Sequence, residues 1–200
     1  MTTSTMSVFF ATLSLVCWAG TLGILVLVVA ARGRPASAAA GIRDDLARNA
    51  LWLGWLVAAV CTVGSLYFSE VAHFVPCELC WYQRICMYPM AIVLLVAAIR
   101  RDTGIWRYAI GPLLIGIAVA IYHSQLQAFP EQRTFCSATI PCNVRFVWEF
   151  GFVSLPFMAL AGFCFIVAMV LLARTADSAA DLELDVAHSS EPQPLESIPS

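Results

Sequence analysis

Five long stretches without Asp, Glu, Lys or Arg constrain the fold of this chain more than any other feature. They cover residues 6–31, 49–69, 85–99, 108–130 and 150–173. Several of them reach the roughly 20 apolar residues that a helix needs to cross the hydrocarbon of a bilayer. A composition of 60% hydrophobic and 12% charged residues excludes a water-soluble domain of this size. The sequence therefore predicts an all-α integral membrane protein with five spans.

The first and third stretches need separate arguments. At about 1.5 Å per residue, residues 85–99 fall short of a hydrocarbon core about 30 Å thick, so the third helix must begin nearer Cys80.

The first stretch is an alternative candidate for a cleaved signal peptide, because Ala30, Ala31 and Ala36 offer small residues near its end. No basic residue precedes it, and it is longer than a signal peptide requires. An uncleaved transmembrane anchor is the preferred interpretation.

The basic residues, all of them arginine, indicate the orientation. They concentrate after the first span, between the third and fourth spans and after the fifth, at Arg32, Arg34, Arg43, Arg48, Arg100, Arg101, Arg107 and Arg174. Short loops rich in basic residues face the cytoplasm. The prediction is an N-terminus outside, a cytoplasmic C-terminus, and outer segments at residues 70–84 and 124–149.

Three regions follow from these patterns. Residues 1–48 are predicted to form an N-terminal transmembrane helix and an arginine-rich cytoplasmic linker, and residues 49–174 a four-helix bundle. Residues 175–200 carry six acidic residues, no basic residue and three prolines among serines. Such a composition buries little apolar surface and predicts a disordered cytoplasmic tail.

The eight cysteines differ in their predicted depth. Cys17, Cys61 and Cys164 fall inside spans and Cys86 just inside the third, where a thiol is usually a small apolar packing group. The other four are predicted to lie in outer segments, facing a compartment in which disulfides persist, at Cys77, Cys80, Cys136 and Cys142. Two cysteine pairs on one side of a membrane can exchange disulfides with each other.

The first of these pairs is a C-x-x-C motif at the predicted start of the third helix, preceded by Pro76. Unpaired N–H groups and the helix dipole favour a thiolate at this position. Arg84 follows Cys80 by four residues and shares its helical face. We expect its guanidinium to stabilise a Cys80 thiolate and an oxyanion on a bound ring, although an interfacial arginine that only reaches for water is the alternative.

The second pair, Cys136 and Cys142, has five intervening residues. Taken alone, such a pair in an outer segment is usually a structural disulfide. The C-x-x-C motif on the same side favours a redox role instead. His123, at the outer end of the fourth span, is either a boundary residue with its hydrogen bonds satisfied or a donor to a bound quinone and a proton shuttle.

The sequence from Cys77 to Arg84, the Tyr122-His123 pair, the outer cysteine pair and residues 151–157 resemble the bacterial disulfide bond formation protein B family (DsbB or BdbC-like). The likeness covers roughly residues 49–174. The C-x-x-C with an arginine four residues later and a second pair in the next outer loop make it specific. The additional first span departs from the common pattern, and the short spacing of the second pair is similar to the Gram-positive branch.

The resemblance implies an enzyme of the bacterial cytoplasmic membrane, a four-helix bundle around ubiquinone or menaquinone. Electrons would pass from a DsbA-like, thioredoxin-fold partner to the second pair, then to the first pair, then to the quinone. Cys136 would engage the partner, Cys142 would exchange with Cys77, and Cys80 would lie against the quinone beside Arg84, with His123 as a further quinone contact. Membrane lipid is the other expected partner, and no metal or nucleic acid is implied.

Two alternatives stay open. An enzyme of the vitamin K epoxide reductase type also combines a C-x-x-C, loop cysteines and a quinone, but there the loop pair generally precedes the C-x-x-C. A non-enzymatic membrane protein would instead use its four outer cysteines as two fixed disulfides or as a metal site. Arg84 argues against a metal site, because its positive charge would repel a cation.

Overall fold

The fold is a bundle of five long helices in a computed structural model that describes residues 3–32, 38–132, 136 and 140–189. The helices are α1 (Thr3–Arg32), α2 (Ala38–Leu66), α3 (Glu78–Arg100), α4 (Trp106–Ala128) and α5 (Leu155–Ser189). All five are long and apolar enough to cross a membrane. The prediction of an all-α membrane bundle with five spans is confirmed.

Helix α3 begins where the length argument requires. Its first residue is Glu78, and Cys77 is the N-cap, with its Sγ accepting a hydrogen bond from the Cys80 backbone N–H. The 23 residues of α3 give a length of about 35 Å, enough to cross the hydrocarbon core. The helix ends at Arg101, which adopts the left-handed conformation at φ 55° and whose N–H bonds back to the last turn.

Two helices extend further than the sequence interpretation gives them. Helix α2 already begins at Ala38, so residues 38–48 are helical and not an irregular linker. Helix α5 continues to Ser189, which differs from the disordered segment predicted from Thr175 onward. Residues 175–189 contain four alanines and two leucines, whose helix propensity outweighs the effect of four acidic residues. Residues 190–200 lie outside the described part of the chain.

Helix α5 forms the centre of the bundle. It packs against α1, α2 and α4, and its Phe163, Ile166 and Val170 are completely buried. Gly116 of α4 allows the closest approach, because a Cβ at this position would lie 2.4 Å from the Phe163 ring. Helix α1 lies against α2 and α5, with Leu22 and Leu25 among its outward-facing side chains. These exposed apolar side chains are those expected of a surface in contact with lipid.

The antiparallel course of the helices separates the cysteines from most of the arginines. The C-x-x-C motif at the start of α3 and the loop before α5 share one end of the bundle. Near the opposite end lie Arg43, Arg48, Arg100, Arg107 and Arg174. This separation agrees with the arginine distribution used above, while the assignment of the two ends to the two sides of a membrane stays a prediction.

Candidate functional site

The C-x-x-C motif occupies the N-terminus of α3 with its two thiols close together. The Sγ atoms of Cys77 and Cys80 are 2.9 Å apart, and the Cys80 N–H points to the Cys77 sulfur at 3.4 Å. Cys77 is 3% exposed, whereas Cys80 is half-buried. A disulfide needs a separation of about 2.05 Å, so a small movement converts this dithiol to a disulfide.

The surroundings of Cys77 favour its thiolate form. The hydrogen bond with Cys80 is the main cause that lowers the pKa of Cys77 to about 4. The hydrogen bond with His123, the electrostatic effect of its ring and the Cys80 backbone N–H act in the same direction, while burial opposes them. These surroundings therefore favour the thiolate of Cys77 when the pair is reduced. A thiolate is the reactive form in disulfide exchange, and a thiol of low pKa is also a good leaving group.

The second cysteine pair forms a disulfide, Cys136–Cys142, with its Cα atoms 6.0 Å apart. Cys142 is 1% exposed and belongs to the same buried cluster as Cys77, Leu79 and Leu126. Cys136 is less buried and packs at the edge of this cluster. The structure thus brings together the two pairs that are more than fifty residues apart in sequence, with Cys142 and Cys77 on the inside.

His123 lies between the two pairs. Its side chain is 2% exposed, and its Nε2 is 3.7 Å from the Cys77 Sγ and 3.0 Å from the carbonyl oxygen of Cys142. The Gln83 side-chain N–H donates to the Nδ1 at 3.3 Å, which leaves the proton of a neutral imidazole on Nε2. That proton faces both the thiol of Cys77 and the chain at Cys142.

Gln83 was not singled out by the sequence interpretation. It is 8% exposed, and its only distinguishing signal is a polar side chain inside an apolar span, next to the C-x-x-C motif. Its hydrogen bond fixes both the tautomer and the orientation of the His123 ring. Gln83 is therefore a positioning residue for the histidine.

Arg84 is held by α2 rather than by a sulfur atom. Its Nε donates to the Ser65 Oγ at 3.0 Å and its Nη2 to the Ser65 carbonyl oxygen at 3.1 Å. The Tyr88 hydroxyl also bonds to the Ser65 Oγ, at 3.1 Å. The Arg84 guanidinium lies over the Trp81 ring, 5.3 Å from its centroid. Two hydrogen bonds to Ser65 and the Trp81 ring thus hold a positive charge on the Cys80 side of α3.

An apolar cavity of about 320 Å³ opens beside Cys80 and Arg84. Cavities that bind small organic ligands usually start at about 300 Å³ and combine apolar walls with a few polar groups. Here the polar groups are clustered on one side, at Ser65, Gln83, Arg84 and Tyr88. The other walls come from α1, α2, α5 and the outer loop, where Phe146 stacks on Phe74 at 5.1 Å.

The predicted site residues thus separate into two groups. Cys80 and Arg84 line the cavity, whereas His123 is absent from the described lining and faces Cys77 and Cys142 instead. Cys17 and Cys61, to which the sequence interpretation gave no role, also line the cavity. Cys86 is 7% exposed and packs in the core of the bundle, as expected.

A soft metal ion has a possible set of ligands in the described residues. One ligand atom each from Cys77, Cys80 and His123 lie within 4.8 Å of one another. Two thiolates and an imidazole are a donor set that zinc accepts. Cys136 and Cys142 are bonded to each other, so a site with four thiolates would require that disulfide to be reduced.

A substitution at His123 tests the cause of the low pKa at Cys77. In the reduced protein, His123→Leu is expected to raise the pKa of Cys77, because it removes both a hydrogen bond and the favourable electrostatic effect of the imidazole. The thiolate absorbance in the ultraviolet, measured against a Cys77→Ser background, should therefore disappear at a higher pH than in the wild type. His73→Asn is the matched control, since His73 is exposed with a φ of 57° that asparagine tolerates. Identical titrations for His123→Leu and the wild type would contradict this assignment.

Comparison with known proteins agrees with this geometry. The family model described as disulfide bond formation protein DsbB matches residues 47–174. The disulfide bond formation protein C of Bacillus subtilis is 39% identical over 126 residues, which cover 62% of this chain and 91% of that protein. A probable disulfide formation protein of Oceanobacillus iheyensis is 45% identical over 129 residues, covering 63% of this chain and 89% of the relative. A probable disulfide formation protein of Coxiella burnetii is 41% identical over 118 residues, covering 58% and 80%.

No solved structure matches the chain. The region matched by the family model contains both cysteine pairs, Arg84 and His123, and it extends from α2 to the membrane-spanning part of α5. Helix α1 lies outside it. The chain therefore belongs to the DsbB family of disulfide bond formation proteins, and it is a disulfide-generating membrane oxidoreductase.

Proposed function

We propose that the chain reoxidises the dithiol of a thioredoxin-fold protein on the extracytoplasmic side of the membrane and passes the electrons to a membrane quinone. One observation carries the proposal: two cysteine pairs meet in one buried cluster, and Cys80 of the first pair lines an apolar cavity. The four cysteines thus lie between the outer loop and a cavity that is suited to an apolar ring. The N-terminus and both outer segments would lie outside, as the arginine distribution predicts.

The first exchange would take place at the outer disulfide. A thiolate of the partner attacks the Cys136 sulfur, the more accessible end of the Cys136–Cys142 bond, and Cys142 leaves as a thiolate. The second thiol of the partner then attacks its own mixed disulfide with Cys136. The products are a disulfide in the partner and two reduced cysteines, Cys136 and Cys142, so two electrons have entered the chain.

The second exchange would take place inside the cluster, where the first pair is a disulfide at this stage. The Cys142 thiolate attacks the Cys77 sulfur and displaces Cys80, and Cys136 then attacks Cys142 and releases Cys77 as a thiolate. The low pKa of Cys77 favours that release. The Nε2–H of His123 faces Cys77 and the Cys142 carbonyl, so it can hold the negative charge on Cys77 and orient the attacking segment.

The residues around the cavity fit a quinone. Its walls are apolar, and its polar side offers the Arg84 guanidinium and the Cys80 thiol. A quinone bound there would accept two electrons and two protons from the reduced first pair. Arg84 would hold negative charge in place, both on the Cys80 sulfur and on an oxygen of the ring. No metal ion takes part in this scheme.

The proposal is tested with the purified protein in lipid vesicles containing ubiquinone or menaquinone. We expect one quinol for each disulfide formed in a reduced thioredoxin-fold protein. Purification with bound zinc, together with no quinone-dependent oxidation of the dithiol, would instead favour the metal-binding alternative. Reduction of a quinone epoxide at the expense of the partner dithiol would favour the vitamin K epoxide reductase type.

Substitution of Arg84 tests its assigned part. Arg84→Gln is expected to lower kcat/KM for the quinone roughly 10- to 100-fold, the loss of one or two hydrogen bonds to a charged group. Arg84→Lys should recover part of this loss, since it keeps the charge but not the planar fork held by Ser65. Arg107→Gln is the control, because Arg107 lies at the other end of the bundle beside Trp106. Unchanged quinone kinetics in Arg84→Gln would remove the assigned role.

A further inference from the structure

Helix α1 forms one wall of the cavity. Phe10, Leu13, Ser14, Val16 and Cys17 line it, and most of them follow the helical spacing of three or four residues that places side chains on one face. The family model begins at residue 47, so this wall comes entirely from outside the region shared with the family. The wall lies opposite residues of the catalytic helix α3, which contributes Cys80 and Arg84.

Specific contacts hold α1 in this place. A Cβ on Gly64 of α2 would lie 2.8 Å from the Phe10 ring, and one on Gly20 would lie 2.8 Å from the Phe165 ring of α5. Near the outer end, the Ser7 hydroxyl donates to the Glu149 Oε1 at 2.6 Å. Ser7 is 4% exposed, so this hydrogen bond is shielded from solvent. Helix α1 is therefore joined both to the bundle and to the loop that follows Cys142.

The chemistry of the α1 wall is almost purely apolar. Ser14 is the one hydroxyl that α1 contributes to the described lining, and it already donates to the Ala11 carbonyl oxygen at 2.7 Å. The donors able to fix a quinone oxygen therefore lie on the opposite side, at Arg84 and its neighbours. Helix α1 therefore determines the shape of the cavity and supplies no hydrogen bond to the ligand.

We infer that α1 is the specificity-determining wall of the quinone cavity: Phe10, Leu13 and Cys17 contact the ring and the start of its isoprenoid chain and select quinones by size. This inference rests on the proposed function. An apolar wall acts on ground state and transition state alike, so it changes KM more than kcat. The exchange with the partner takes place at Cys136 and Cys142, which are absent from the described cavity lining, so it does not require this wall.

Two leucine-to-tryptophan substitutions in α1 distinguish an effect of the cavity wall from an effect of the lipid-facing surface. Leu13→Trp fills the cavity and is expected to raise KM for a short-chain quinone tenfold or more, within the roughly 10- to 200-fold range of steric discrimination. Leu22→Trp is the matched control, because Leu22 is 58% exposed and does not line the cavity. In both variants the two cysteine pairs are intact, so the fully oxidised proteins should each oxidise two equivalents of partner dithiol without quinone, which shows that they are folded.

Enlarging the cavity is the second variant, in case the larger side chain prevents folding. Leu13→Ala should lower the ratio of the KM for a two-ring quinone to the KM for a one-ring quinone at least threefold, because the smaller side chain leaves more room for the larger ring. A KM ratio equal to that of the wild type, in a variant that still oxidises two equivalents of partner dithiol without quinone, would overturn the inference.

Photolabelling gives a readout that does not depend on turnover. A short-chain azidoquinone should label the peptide containing residues 10–17, and an excess of unlabelled quinone should suppress the labelling. Labels on α3 and α5 but never on α1 would overturn the inference and leave the proposed function intact. No suppressible label anywhere in the chain would contradict both.

Discussion

Replacing Cys80 by serine is expected to lower quinone-dependent turnover by about three orders of magnitude or more, as the loss of an essential nucleophile usually does. Cys80 is the cysteine of the first pair that lines the cavity, so its sulfur is the last one before the quinone. The variant should still oxidise one equivalent of partner dithiol, because the Cys136–Cys142 disulfide is untouched. Oxidation should then stop. The measurement is the amount of partner oxidised, in a burst and at steady state, by reconstituted protein.

Cys164→Ser is the matched control for this variant. Cys164 is a partly buried thiol in α5 that is absent from the described cavity lining. Its replacement by serine also exchanges sulfur for oxygen in a transmembrane helix. Turnover should remain within a factor of about two of the wild type, which corresponds to a change in activation free energy of less than about 0.5 kcal/mol. Steady turnover in Cys80→Ser would show that electrons reach the quinone by another route.

Cys142→Ser is expected to abolish oxidation of the partner while leaving the first pair competent. Without the Cys136–Cys142 bond the partner has no accessible disulfide to attack, since Cys77 is 3% exposed and Cys80 lines the cavity. A small reductant such as dithiothreitol should still support quinol formation through Cys77 and Cys80. Loss of partner oxidation with retention of quinol formation therefore distinguishes this variant from Cys80→Ser, which should lose quinol formation and keep a single turnover of partner oxidation.

The same variant tests the view that the second pair is only structural. Removing a disulfide that closes a loop this short costs roughly 3 kcal/mol or less, so the variant should be less stable but folded. A structural disulfide would leave turnover unchanged well below the melting temperature. Steady partner oxidation by Cys142→Ser, at a temperature where circular dichroism shows a folded helix bundle, would contradict a redox role.

The sequence predicts most of this fold because the bilayer imposes simple rules. The lengths of the uncharged stretches give the five spans, and the thickness of the hydrocarbon core places the start of α3 near Cys80, as found at Glu78. The helical extension to Ser189 was missed because low hydrophobicity and high charge were given more weight than helix propensity. Composition therefore predicts which segments lie in the membrane, whereas the length of a helix beyond the membrane depends on helix propensity.

The site was harder to predict because its contacts cross the bundle. A cysteine inside a span gives no sign of the face it occupies, so the sequence assigns no role to Cys17 and Cys61, although both line the cavity. The position of His123 depends on how α4 packs against the loop at Cys142, and the periodicity of the sequence does not predict this packing. Arg84 and Cys80 line the same cavity. The anchoring of Arg84 by Ser65 joins residues 19 positions apart on two helices, which the sequence does not reveal.

The central claim is that the two cysteine pairs exchange electrons directly, through Cys142 and Cys77. The most direct test is the double variant Cys80→Ser/Cys136→Ser, in which these two are the only cysteines left of the four. Mild oxidation followed by peptide mapping without reduction should find a Cys77–Cys142 disulfide joining the start of α3 to the outer loop. If both thiols remain free under conditions that oxidise the wild-type pairs, the proposed relay between the pairs is wrong.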